Sequence, residues 1–283
     1  MKAFAWCSVM FAAGAVLVAG SAVLVAGSAA GADQPARPVL LYSLYYHAEG
    51  EEQYLPAGNY SEILERLKEH FDVRVNADAM SRATLKDVAV LLIVNPSEAA
   101  RGGKTPPHVT ERDAYEIALF VQNGGGLVFM SNQTPAHNCE KRDSNRLLAQ
   151  FGMEVLHFDV GVKEFTIPKD APIVGGLKWK YIYGSLLDVR PDHFAHPRVV
   201  LENDPAVPVI VGPAGTAPDA PVGPLGEVGP RGPILAIAEA GTGRVVVGTD
   251  GGWLANGTLE QADNWEIARR LFRWAAHLDA PAK

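Results

Sequence analysis

Two cysteines occur in 283 residues, and Cys7 falls in an apolar N-terminal stretch. Cys139 is therefore the only thiol in the rest of the chain, and no disulfide can form within it. Charge is missing too, with none between Lys2 and Asp33. The chain has 25 Lys and Arg against 32 Asp and Glu, a net charge of −7. That balance argues against a general nucleic-acid binder. No phosphate-cradling loop is present, because such a loop must follow a strand and open a helix. Gly124-Gly125-Gly126 precedes a strand pattern, and Gly241-Thr242-Gly243 joins two of them. No cofactor is expected. What remains is ordinary globular composition, 48% apolar and 20% charged. It excludes disordered, collagenous and disulfide-dense classes.

Residues 1–32 read as an export signal. Lys2 and the amino terminus supply a short positive region, and a long Ala/Val/Leu/Gly run ends at the small-residue pattern Ala30-Gly31-Ala32. Val16–Ala22 (VLVAGSA) is repeated at once as Val23–Ala29. The copy lengthens the apolar run enough to span a bilayer, so an uncleaved N-terminal anchor is the alternative. The expected location is periplasmic or extracellular, with membrane contact only through this segment if it stays attached. Residues 33–283 are expected to form a single domain.

Pro38–Tyr45 and Val88–Val94 are continuous apolar runs, as expected of buried parallel strands. Between them, Asn59 is expected to open a helix, with Glu62 completing a capping-box-like pair. A short alternating strand, Asp72–Asn76, follows. Thr110 is placed to cap a helix that stops at Asn123-Gly124-Gly125, and Gly126–Ser131 is the next strand. Ser144–Gln150 reads as a short helix and Met153–His157 as a strand. Short β-like pieces follow at Lys163–Ile167, Lys178–Tyr183, Val199–Leu201 and Val207–Val211. Residues 203–233 hold eight of the twenty prolines, so 212–233 reads as a Pro/Gly-rich surface loop. Ile234–Ala238 and Arg244–Thr249 form a late hairpin, and Asp263 is expected to cap a final helix. Alternating strand and helix patterns predict an α/β, three-layer sandwich with a mostly parallel, flavodoxin-like central sheet.

Four stretches carry a resemblance: GGGLVFMS, RLLAQFGMEV, APIVGGLKW and GTGRVVVGTDGGWLANGTLEQADNWEIARRLFRW. Together, over roughly Pro38 to Leu278, the chain resembles the class I glutamine-amidotransferase-like fold. Within it, the chain is similar to an exported bacterial branch related to gliding-motility and intraflagellar-transport-type auxiliary domains and to trehalose-utilisation-type proteins. The fold's enzymes carry a cysteine on a glycine-flanked turn after a central strand. The matching stretch here is Phe129-Met130-Ser131-Asn132-Gln133, with neither the cysteine nor the glycines. Cys139 lies eight residues beyond Ser131 and cannot take that place. Their His-x-Glu pair corresponds to Thr249-Asp250-Gly251-Gly252, without a histidine. The amidotransferase mechanism therefore does not carry over.

In an open parallel sheet, ligands bind at the carboxyl ends of strands. That rule gathers Tyr46, His47, Asn95, Ser131, Asn132, Gln133, Asp250 and Trp253 on one rim as candidate ligand-binding residues. Aromatic faces beside amides and a carboxylate suit a carbohydrate or other polar small molecule. The bland alternative is that these are strand-end turn residues bonded to local backbone. A catalytic reading would make Ser131 the nucleophile, His47 or His137 its base and Asp250 the orienter, all within hydrogen-bond reach. For metal, His137-Asn138-Cys139 and His193-Phe194-Ala195-His196 lack a second ligand pair, and no metal site is expected. The preferred reading is an exported, non-catalytic binding or assembly module, with an envelope protein as a further candidate partner. The alternative is a hydrolase acting on a carbohydrate or amide.

Overall fold

The computed structural model describes residues 36–47, 52–98, 105–132, 139–158, 160, 163–203 and 231–279. The chain divides into Met1–Ala36 and Arg37–Lys283, and all elements below belong to the second unit. The strands are β1 Val39–Ser43, β2 Asp72–Asn76, β3 Val88–Val94, β4 Gly126–Met130, β5 Met153–Val155, β6 Lys163–Thr166, β7 Lys178–Tyr181, β8 Leu187–Val189, β9 Arg198–Glu202, β10 Pro233–Ala240 and β11 Gly243–Gly248. The helices are α1 Ser61–Leu67, α2 Glu111–Gln122, α3 Lys141–Leu148 and α4 Asn264–Ala275.

Seven strands form the central sheet in the order β2-β1-β3-β4-β11-β10-β9. The pairs from β2 to β11 are parallel, and the β11–β10 and β10–β9 pairs are antiparallel. This is the expected α/β sandwich, with its late hairpin and C-terminal helix. Side-chain alternation sorts the strand residues onto two cores. Leu40, Tyr42, Leu92, Val128 and Val246 meet Ile63, Leu67, Ile267 and Leu271 of α1 and α4. Leu41, Leu91, Ile93, Phe129 and Val247 meet Ile117, Val121 and Leu147 of α2 and α3. Covering both faces explains why β3 is apolar at every position. Each fully buried Val, Leu or Ile contributes roughly 1.5–3 kcal/mol relative to exposure.

Several local expectations change. Met153–His157 is not a central strand: β5 pairs antiparallel with β8 in a small separate sheet. β6 and β7 form another such pair. α1 starts at Ser61 rather than Asn59, and its N-cap Tyr60 makes no side-chain capping bond. Asn256, distant in sequence, accepts from the Glu62 amide instead, at 3.0 Å. α3 starts three residues before Ser144, because Glu140 caps it by accepting from the Asp143 and Ser144 amides at 2.8 and 3.2 Å. Asp263 precedes α4 but spends its carboxylate on the Lys178 amide, 2.7 Å away. Thr110 does cap α2, in a reciprocal box with Asp113. Residues 1–32, the strand-like run 207–211 and nearly all of the loop at 212–233 lie outside the described residues.

Candidate functional site

β1, β3, β4 and β11 are neighbours in the sheet and parallel, so their carboxyl ends share one rim. The segments leaving them carry the candidate residues. Gln133 and His137 lie outside the described residues. Tyr46, Asn95, Ser131, Asn132, Asp250 and Trp253 are all buried, and His47 is half-buried. Burial on this scale makes hydrogen-bond accounting decisive, because an unmet polar group there costs about 1–3 kcal/mol.

The amides are spent on each other and on the backbone. Asn95 adopts a left-handed backbone at φ 43°, a conformation that asparagine tolerates better than most residues. Its N–H donates to the Met130 carbonyl at 2.6 Å, and its side-chain oxygen accepts from the Asn132 amide at 2.9 Å. The Asn132 side-chain nitrogen donates to the Tyr54 hydroxyl at 2.6 Å. Tyr42 donates to the Tyr54 carbonyl at 2.5 Å. His47 donates from Nε2 to the Val94 carbonyl at 2.5 Å, with its ring against Tyr42 and Tyr54.

A cover closes over the β11 end. Asp250 accepts from the Ile182 amide at 2.5 Å and from the Gly252 amide at 2.6 Å. Tyr60 donates to the Gly251 carbonyl, and Tyr181 bonds Thr249 at 2.9 Å, hydroxyl to hydroxyl. Gly184 passes so close that a Cβ there would sit 1.5 Å from the Thr249 carbonyl oxygen. Trp253 packs edge-on to Trp179, with centroids 5.5 Å apart. The segment from Tyr181 to Ser185 and the turn Glu52–Tyr54 therefore lie over the rim.

Electrostatics follow burial. Desolvation raises the Asp250 carboxyl from 3.8 to about 7, against the pull of backbone amides from Ile182, Gly252, Tyr183 and Trp253. Burial also raises the Tyr60 and Tyr46 hydroxyls, and the nearby Asp113 carboxylate adds to the effect at Tyr46. Burial pushes the Cys139 thiol up to about 12.

The proposed catalytic trio is not assembled. Among the described residues, Ser131 Oγ has no hydrogen-bond partner. His47 Nε2 is committed to a carbonyl and the Asp250 carboxylate to amides. Among the described residues, no hydrogen bond joins any two of the three. The sequence reading missed Tyr42, Tyr54, Tyr60 and the 181–185 segment, which supply the cover. Tyr54 lies in a short turn without periodicity, and the 181–185 contact spans more than sixty residues of chain. Neither leaves a local signal.

Three ligand-type side chains gather elsewhere, at His108, Glu140 and Asp143, with one donor atom of each within 4.8 Å of the others. Glu140 is the cap of α3, and Asp143 pairs with Arg146 at 2.9 Å and with His108 at 3.3 Å. Arg146 offsets the Asp143 carboxylate and the Glu140 carboxylate is spent on the amides of α3, so the cluster reads as a capped helix start. His193 accepts from the Ala195 amide at 3.2 Å and stacks on Phe194 at 4.1 Å.

No family model matches the chain, and no curated protein matches it either. Solved structures do. One is the N-terminal domain of mmIFT52, 15% identical, with TM-score 0.59 over 86% of this chain and 99% of that one. Another is a ThuA-like protein from Bacteroides uniformis, 14% identical, with TM-score 0.51 over 87% and 95%. A third is the cytoplasmic protein STM1381 from Salmonella typhimurium LT2, 13% identical, with TM-score 0.52 over 84% and 98%. At such identities the likeness concerns the fold alone. It recovers the intraflagellar-transport-type and trehalose-utilisation-type relatives. The amidotransferase likeness itself stays a sequence expectation.

Proposed function

We propose that the chain is an exported, non-catalytic binding or assembly module built on this sandwich. One observation carries the reading: the Asn95 and Asn132 amides and the Asp250 carboxylate are spent on backbone and on neighbouring side chains rather than on Ser131. Among the described residues no hydrogen bond joins Ser131 to His47 or Asp250, and a Ser hydroxyl without a hydrogen-bonded base is a weak nucleophile. The leader supports export. The ligand class the rim favours is a carbohydrate or other polar small molecule, and reaching it requires the covering segments to move. An envelope protein is the partner expected for an assembly role. Nucleic acid is not a partner on this reading, and the membrane is contacted only through an uncleaved N-terminal segment.

The test is a thermal-shift screen of residues 33–283 with sugars and peptidoglycan fragments, run beside hydrolysis assays on ester and amide substrates. A ligand that binds only the native state raises the melting temperature. The reading expects such a shift, and the same background hydrolysis with or without Ser131→Ala. Hydrolysis that disappears in Ser131→Ala would overturn it in favour of the hydrolase.

A further inference from the structure

At the opposite end of the sheet, where β3 and β4 begin, a cleft of about 360 Å³ opens between α2 and the turn at 81–87. Its size falls in the range of small-molecule sites. Leu85, Val88, Leu119 and Phe120 supply apolar surface. The Phe120 ring lies flat on Gly125, where a Cβ would come within 2.3 Å of the ring. Glycine at 125 therefore lets the ring form the wall of the cleft instead of filling it.

Two cations stand on the rim, Arg82 and Lys86. They are four residues apart on a helix-like turn, in which the Leu85 amide donates to the Ser81 carbonyl at 3.0 Å, so they share one side. Reciprocal bonds fix that turn: the Ser81 amide donates to the Thr84 hydroxyl at 2.8 Å, and the Thr84 amide to the Ser81 hydroxyl at 3.2 Å. Neither cation has an ion-pair partner among the described residues. Nor are they needed to neutralise the carboxyl end of α2. The carbonyls of Leu119, Phe120, Val121 and Gln122 already accept from the amides of Asn123, Gly125, Gly124 and Thr242. One carboxylate, Glu116, also lines the cleft, leaving a net positive rim over an apolar floor.

We infer that this cleft binds a small amphipathic anion, with its aromatic or short acyl body on Phe120 and Leu85 and its acidic head between Arg82 and Lys86. The site is separate from the strand-end rim and does not depend on the function proposed for it.

The probe is 8-anilinonaphthalene-1-sulfonate, an aromatic sulfonate that brightens in apolar surroundings, titrated into residues 33–283. The uncharged dye N-phenyl-1-naphthylamine serves as control. The expected result is saturable one-to-one binding of the sulfonate. The Arg82→Glu/Lys86→Glu double variant should weaken it by about tenfold or more and leave the neutral dye unchanged, because reversed rim charge acts on the head alone. Arg82→Lys should bind within about twofold of the parent, since it keeps the charge. Absence of saturable binding, an unaltered sulfonate affinity in the double variant, or equal loss of both dyes would each overturn the assignment.

Discussion

Asp250 should make the protein more stable as the solution is acidified from neutrality. Its carboxyl is wholly buried and held at about 7, against 3.8 for the unfolded chain. The folded state thus prefers the protonated form. Between pH 7 and 4 it binds a proton that the unfolded chain has released, so stability falls with rising pH. The gap of about 3 pK units corresponds to about 4 kcal/mol at 1.36 kcal/mol per unit. That stability is missing above pH 7 and fully present below pH 4. Other groups pull the opposite way in overlapping windows. Burial lowers His70, His157 and His277, which favours their neutral forms and removes stability as the pH drops through 6.5. Arg269 and Arg270 lower Glu266 to about 2, so its contribution is lost as the pH falls from 4.5 through 2. The total profile therefore does not isolate Asp250, but a difference does. Unfolding free energies from urea melts of the parent and Asp250→Asn, taken from pH 8 to pH 4, should diverge by about 4 kcal/mol in favour of the parent on acidification. A flat difference would refute the reasoning. It would mean that the converging backbone amides hold the carboxylate ionised and outweigh desolvation.

Four further outcomes follow from the same geometry. Ser131→Ala removes a buried hydroxyl that has no partner among the described residues, so chemical denaturation should show unchanged or slightly raised stability, by up to about 1 kcal/mol. Tyr54→Phe removes the hydroxyl that accepts from the Asn132 side-chain nitrogen and should cost about 0.5–1.5 kcal/mol in the same assay. Gly184→Ala forces a Cβ against the Thr249 carbonyl and should destabilise more than Tyr54→Phe, with the near-ultraviolet signal of Trp179 and Trp253 altered. Cys139, buried and with its thiol pushed up to about 12, should resist a thiol reagent at pH 8 until denaturant is added.

The sheet was legible because its signals are local. β3 and β4 are apolar runs of the length a doubly covered strand needs, and the β10–β11 hairpin is marked by the turn at Gly241. The small antiparallel pairs were harder to read. β5 has three residues, too few for a period to separate a central strand from an isolated ribbon. Thr110 caps α2 as expected, but two other caps failed for a related reason. Asn59 and Asp263 have the right chemistry at the right spacing, yet the bond that starts α1 comes from Asn256, nearly two hundred residues away. Tertiary contacts overrode a local propensity that was correctly read.

The rim shows the same limit in a form that bears on function. Strand order puts the described candidate residues on segments that leave neighbouring parallel strands, because adjacency at strand ends follows from topology. Their accessibility does not follow from topology. It depends on whether distant segments close over the ends, and here the 181–185 segment, held at Asp250 and Thr249, does so. Each bond that satisfies a buried amide or carboxylate also removes it from the groups available to a substrate. Any ligand of such a rim must first compete with those internal bonds. The cleft at Arg82 and Lys86 differs in this respect, since among the described residues its two charges have no ion-pair partner to give up. Of the two ends of the sheet, the one ignored by the strand-end rule is therefore the one prepared to bind without rearrangement.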